Sequence, residues 1–135
     1  MGPEFLIDTN IAIASLGNKL PQEGAFFMKA IPPAISVITQ IELLGWYGVS
    51  AVDLIPLTSF VDKSFIYPIN PAITDKCIWL SQNHHIKTPD AIIAATALVH
   101  NLTLLTRNTG DFKRIEGLKF VNPFELEDSF DISAS

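Results

Sequence analysis

Phe5-Leu6-Ile7-Asp8-Thr9-Asn10 is an apolar triplet that stops at an acid and two helix-capping residues. Three consecutive apolar side chains suit a short strand buried on both faces, and Asp, Thr and Asn are residues that open helices. The stretch therefore reads as a buried first strand feeding directly into the helical run Ile11 to Leu16. A chain that passes from buried strand to helix without a hairpin turn begins a βαβ unit and a parallel sheet.

The pattern repeats downstream. Pro21 to Ala30 gives a second helix, opened by a proline where a helix tolerates one and ended near Pro32-Pro33. Ala34-Ile35-Ser36 is a second strand, followed by Thr39-Gln40-Ile41-Glu42, which matches a capping box at the start of a helix reaching Trp46 or Tyr47. Ser50 to Asp62 has helical spacing but carries Pro56, so a break or kink is expected there. Phe65 to Ile69 suits an edge strand because Pro68 cannot donate to a ladder.

Asn70-Pro71 caps a helix that aligns Ile73, Cys77 and Leu80 on one side, with Trp79 flanking them. Thr88-Pro89-Asp90 opens a helix, Ala91 to His100, that is apolar nearly all round and should be buried. Thr103 to Thr106 is a strand, Arg107 to Asp111 a polar turn, and Lys119-Phe120-Val121 a last strand. The expected fold class is α/β: three layers, α/β/α, around a central parallel sheet.

At 135 residues the chain fits one domain. Residues 6–124 are assigned to it. Residues 1–5 hold the start of the first strand behind Met1-Gly2-Pro3, which resembles a cloning remnant, and the acidic tail 125–135 is expected to fray. Hydrophobic residues make up 48% and charged ones 17%, with mean hydropathy +0.32, so some apolar surface is expected to meet a partner. The longest apolar run, Ala91 to Val99, is too short to span a bilayer. No signal peptide is visible, and the single cysteine, Cys77, suits a reducing cytoplasm and a packing role.

Net charge is −5, which by itself weighs against a nucleic-acid ligand. Four acids change that reading. Asp8 follows the first strand, Glu42 lies in the first turn of the helix after the second, Asp90 in the first turn of the buried helix, and Asp111 just after the strand Thr103 to Thr106. In parallel α/β sheets the ligand site forms outside the carboxyl ends of the strands, where these four would meet. Set them aside and ten acids face nine bases, leaving the rest of the surface nearly neutral.

Two unit charges about 4 Å apart interact by roughly 4 kcal/mol at an effective dielectric near 20. Gathered carboxylates therefore need a cation or protons between them. Oxygen donors without His or Cys favour Mg²⁺ or Mn²⁺ over zinc, and such an ion suits phosphodiester hydrolysis. Each acid also has a plain structural role open to it: Asp8 as a helix cap, Glu42 in its capping box, Asp90 on a helix dipole, Asp111 in a turn.

Leu6-Ile7-Asp8-Thr9-Asn10, Ser36 to Leu43, Pro89 to Ala97 and Leu105 to Phe112 resemble, in order, the motifs of PIN-domain ribonucleases, and among them VapC-type toxins of toxin-antitoxin modules. The resemblance covers Leu6 to about Pro123. It implies a Mg²⁺- or Mn²⁺-dependent endoribonuclease that hydrolyses RNA to 3′-hydroxyl and 5′-phosphate ends, forms a homodimer and is neutralised by a cognate antitoxin. Asp8, Glu42 and Asp90 match the family's core metal-binding acids and Asp111 its more variable fourth. Thr106 and Asn108 match supporting polar residues, and Thr9 joins them in the expected site.

Arg107, Lys113 and Arg114 lie close in sequence to Asp111 and are candidates for steering RNA phosphate. His84 and His85 are assigned to a loop, and Trp46, Tyr47 and Trp79 to core or dimer packing. Two rivals stand beside this reading. One is a catalytically silent PIN fold that binds RNA or an antitoxin-like partner. The other is a phosphatase of the haloacid dehalogenase type, which Asp8-Thr9-Asn10 fits poorly because it lacks a second aspartate two residues on.

Overall fold

The computed structural model describes residues 2–126. From residue 127 onward the acidic tail, with its expected fraying, lies outside the described residues. Strand β1 (Phe5–Ile7) leads into helices α1 (Thr9–Leu16) and α2 (Gln22–Ala30). Strand β2 (Ala34–Ser36), helices α3 (Val37–Leu44) and α4 (Ala51–Lys63), and strand β3 (Phe65–Tyr67) follow. The second half runs through α5 (Pro71–Asn83), α6 (Thr88–Val99), β4 (Thr103–Leu105), the single turn α7 (Thr109–Phe112) and β5 (Lys119–Val121).

Every strand pairing is parallel, with β1-β4-β5 in one ladder and β2-β3 in another. The two ladders stand side by side through β1 and β2. The chain thus winds outward from β1 through β2 to β3, then returns to the other side of β1 to lay down β4 and β5. That reversal makes the β1/β4 boundary the topological switch point, where a doubly wound sheet opens a crevice at its carboxyl edge.

Side chains alternate across each strand, and the alternation builds the three layers. Leu6 and Leu104 turn to one face and pack with Ile73 and Leu80 of α5 and Ile93, Ala94 and Ala97 of α6. Ile7, Ile35 and Leu105 turn to the other and meet Ile11 of α1, Leu43 of α3, and Leu57 and Val61 of α4. The all-apolar composition of α6 follows from its place: Ala91 and the run from Ile93 to Ala97 are buried. Small alanines let α6 approach both the sheet and α5.

Two local expectations need correction and a third is narrowed. Pro56 does not break α4, which runs unbroken from Ala51 to Lys63. Pro56 is exposed, so the Val52 carbonyl it leaves without a helical partner can turn to water. The capping box read at Thr39 is displaced: Ser36 is the N-cap of α3, its hydroxyl accepting from the Ile38 amide at 3.1 Å. Glu42 therefore lies in the second turn, not the first. Finally, of the core or dimer packing expected for Trp46, Tyr47 and Trp79, exposures of 47%, 99% and 51% exclude the core and leave the dimer alternative. Among the described residues no helix is long and apolar enough to cross a membrane.

Candidate active site

Asp8 sits at the carboxyl end of β1, where its amide extends the ladder by donating to the Leu105 carbonyl at 3.0 Å. Its own carbonyl accepts the first bonds of α1, from Ile11 and Ala12. The backbone of Asp8 thus serves as N-cap while its side chain makes no capping bond. Instead the carboxylate turns across the switch point, where the Thr106 hydroxyl, just beyond β4, donates to Asp8 Oδ2 at 2.8 Å. Thr106 is itself fixed, since its oxygen accepts from the Asn108 amide at 3.0 Å.

Asp8 is only 5% exposed. Burial pushes its carboxyl up to about 6, against the opposing bond from Thr106, and the nearby charges of Asp90 and Glu42 add to the rise. Asp90, in the first turn of α6, is also raised, first by burial and then by Asp111 and Glu42, while Lys87 pulls the other way. Four elements distant in sequence therefore bring their acids within each other's electrostatic reach. A group strained toward protonation in a pocket of like charges is a mark of a functional site.

Glu42 is exposed but anchored. Thr9 donates from Oγ1 to Glu42 Oε1 at 2.6 Å and lies 2.9 Å from the hydroxyl of Thr39. A hydroxyl has one proton to give, so Thr39 must donate to Thr9 for Thr9 to donate to Glu42. Thr39, fully buried, is a contributor that the capping-box reading obscured; its position one turn before Glu42 on α3 was the available signal. Asp111 lies in α7, not in an open turn, and accepts from Asn108 Nδ2 at 2.9 Å. Buried Phe112 pins that turn to the core.

Each candidate supporting residue thus holds one acid: Thr106 holds Asp8, Thr9 holds Glu42, Asn108 holds Asp111. Among the described residues no three His, Cys, Asp or Glu side chains stand grouped tightly enough to hold an ion as they are placed. The acids feel one another's charge but do not form a ready-made cage. Their chemistry nonetheless fits a hard divalent cation: all donors are oxygens, and buried Asp8 carries like-charged neighbours that such an ion would offset.

Replacing Thr106 by Val removes the one side-chain hydroxyl that donates to Asp8. The expected loss is about 2 kcal/mol of stability, because a buried carboxylate is left without that partner. Thr106→Ser, which keeps the oxygen, should lie within about 1 kcal/mol of the parent in urea denaturation. A parent-like Thr106→Val beside a destabilised Thr106→Ser would show that the methyl packing, not the hydrogen bond, matters at this position.

A doubly wound α/β/α sheet with acids gathered at its switch point defines a class of small domains built to present hard oxygen donors in one crevice. A family model for the PIN domain matches residues 5–118, and the chain belongs to that family. It is 59% identical over 34 residues to a protein named Ribonuclease VapC1 from Rickettsia felis, a match covering 25% of each. The chain thus matches about a quarter of the length of that curated relative.

Among solved structures it is similar to a toxin-antitoxin complex from Klebsiella pneumoniae, with 35% identity, TM-score 0.71, and coverage of 90% of this chain and 98% of that one. It is also similar to VapBC-1 from nontypeable Haemophilus influenzae, with 26% identity, TM-score 0.75 and the same coverages.

Proposed function

We propose that this protein is a Mg²⁺- or Mn²⁺-dependent endoribonuclease that acts as the toxin of a toxin-antitoxin module in the cytoplasm, neutralised by a cognate antitoxin and working as a homodimer. The observation that carries the reading is the crevice at the β1/β4 switch point, where Asp8, Glu42, Asp90 and Asp111 couple electrostatically. Membership of the PIN family and the likeness to a protein named as a ribonuclease and to toxin-antitoxin complexes support it.

Asp8, Glu42 and Asp90 would hold the ion, and Asp111 a second ion or a water. A bound divalent cation supplies charge against the scissile phosphate and lowers the pKa of water. The chain's own residues do the rest. Thr106, Thr9 and Asn108 fix the carboxylates in direction, and Asp8 is itself largely shielded from solvent. Arg107, Lys113 and Arg114, all exposed, draw the phosphate backbone toward the acids. Residues 6–124 make up the working domain.

Incubation of single-stranded RNA with the protein and Mn²⁺ or Mg²⁺ should give fragments with 5′-phosphate ends, and EDTA should stop it. Intact RNA under both ions would overturn the proposal. The spread of the acids gives some weight to the rival, a PIN fold that binds without cutting. That rival predicts no thermal shift on titration with Mn²⁺, whereas saturation to about 100 times Kd stabilises a true ion site by about 2.7 kcal/mol.

A further inference from the structure

Beside the acids lies an open groove of about 740 Å³, lined by Asn10 and Ile13 of α1, Lys19, Arg107, Asn108 and Phe124. Asn10 is two residues from Asp8 in the chain, and Asn108 holds Asp111, so the groove begins where the crevice ends. Its walls carry two cations and no carboxylate. Neither Lys19 nor Arg107 has an ion-pair partner among the described residues.

The Arg107 guanidinium lies over the Phe124 ring, 4.1 Å from its centre. Phe124 is fixed in turn, since its amide donates to Asn122 Oδ1 at 2.9 Å. Lys19 is held just past α1, where its backbone N–H donates to the Ala14 carbonyl at 2.8 Å. The result is a flat, pre-positioned cationic plane on one side and a point charge on the other.

Resting on the ribonuclease reading above, we propose that this groove is a subsite for a nucleotide flanking the scissile phosphate of single-stranded RNA. Lys19 takes its phosphate, and the Arg107–Phe124 stack gives its base a plane to lie on. Unstacked RNA bases lie on aromatic rings and on Arg guanidinium planes, and a point charge suits a phosphate. The volume falls inside the roughly 300 to 1,000 Å³ of pockets that enclose small ligands. Lys19 lies 88 residues from Arg107 in sequence, so only the fold brings it into the phosphate path.

The test uses a fluorescein-labelled single-stranded RNA decamer and the Asp8→Asn protein, so that binding is read without cleavage. Anisotropy is followed between 50 and 200 mM salt. Lys19→Ala in that background should raise Kd about fivefold and flatten the slope of log K against log salt by about 0.7, the contribution of one single-strand phosphate contact. Phe124→Leu should raise Kd about as much without changing the slope, because stacking releases no counterions. Lys76→Ala on α5, outside the groove, should change neither.

Lys19→Ala with the Kd and slope of its parent overturns the subsite. If, in addition, the unsubstituted protein leaves RNA intact with Mn²⁺, the ribonuclease reading fails as well. If that protein cuts while Lys19→Ala binds normally, only the subsite fails.

Discussion

Asp8→Asn is expected to silence RNA cleavage, by at least about a hundredfold, while making the metal-free protein more stable at neutral pH. The two effects come from one residue and have opposite signs. Asparagine keeps the shape and an oxygen that can accept from Thr106, so the bond across the switch point survives. It lacks the negative charge that an ion would need and that the buried pocket resists.

The carboxyl of Asp8 is raised from 3.8 to about 6 in the fold, so the folded protein holds a proton there more tightly than the unfolded chain does. Its contribution to stability is full below about pH 3.8 and is lost as pH rises through about 6. The two units correspond to about 3 kcal/mol, as an upper limit. Chelator-treated Asp8→Asn should therefore gain up to about 3 kcal/mol over the parent at pH 7 and nothing at pH 3.5.

Adding Mn²⁺ should stabilise the parent and leave Asp8→Asn unmoved, so the two melting curves converge or cross. Retained cleavage by Asp8→Asn would remove the central acid from the scheme. An equal stability gain at both pH values would show that charge is not the reason for it.

Gly24→Ala is expected to destabilise the fold by about 3 kcal/mol, against what helix propensity alone predicts. In an exposed helix, exchanging Gly for Ala gains about 1 kcal/mol. Gly24, however, is buried in α2 with its α-carbon against the 122–124 turn. A Cβ built there would fall 2.0 Å from the Pro123 carbonyl oxygen and 3.0 Å from its carbon. Backbone atoms cannot rotate aside as a side-chain tip can, so α2 or the turn must move as a unit.

Because Asn122 and Phe124 flank Pro123, the same displacement should loosen the Arg107 stack. Urea denaturation of Gly24→Ala measures the first effect, and RNA affinity the second. A stability equal to or above the parent's would mean that the α2 contact is slack and local propensity wins.

Much of the architecture was legible in the order of residues. Three apolar side chains ending at Asp8, a helix apolar all round from Ala91, and the proline-flanked Phe65 strand each dictate local structure through burial and backbone geometry. Together they impose parallel strands with helices on both faces. The misreadings were of a different kind. Thr39 and Glu42 satisfy a capping box in spacing, yet Ser36 caps α3 and frees both for bonds that run to Thr9, 30 and 33 residues away. Of the core and dimer packing open to Trp46, Tyr47 and Trp79, their exposure removes the core.

By itself the sequence determined which segments become strand or helix and which residues can supply hard oxygen donors, because propensity, periodicity and side-chain chemistry act over a few neighbouring residues. Only the tertiary structure decided that Thr106 turns to Asp8 across 98 residues and that Lys19 shares a groove with Arg107 and Phe124. It also decided that a glycine in α2 must stay a glycine. Those are contacts between segments, set by which strand returns beside β1, and no local preference encodes the distance between two side chains that meet only after the sheet has closed.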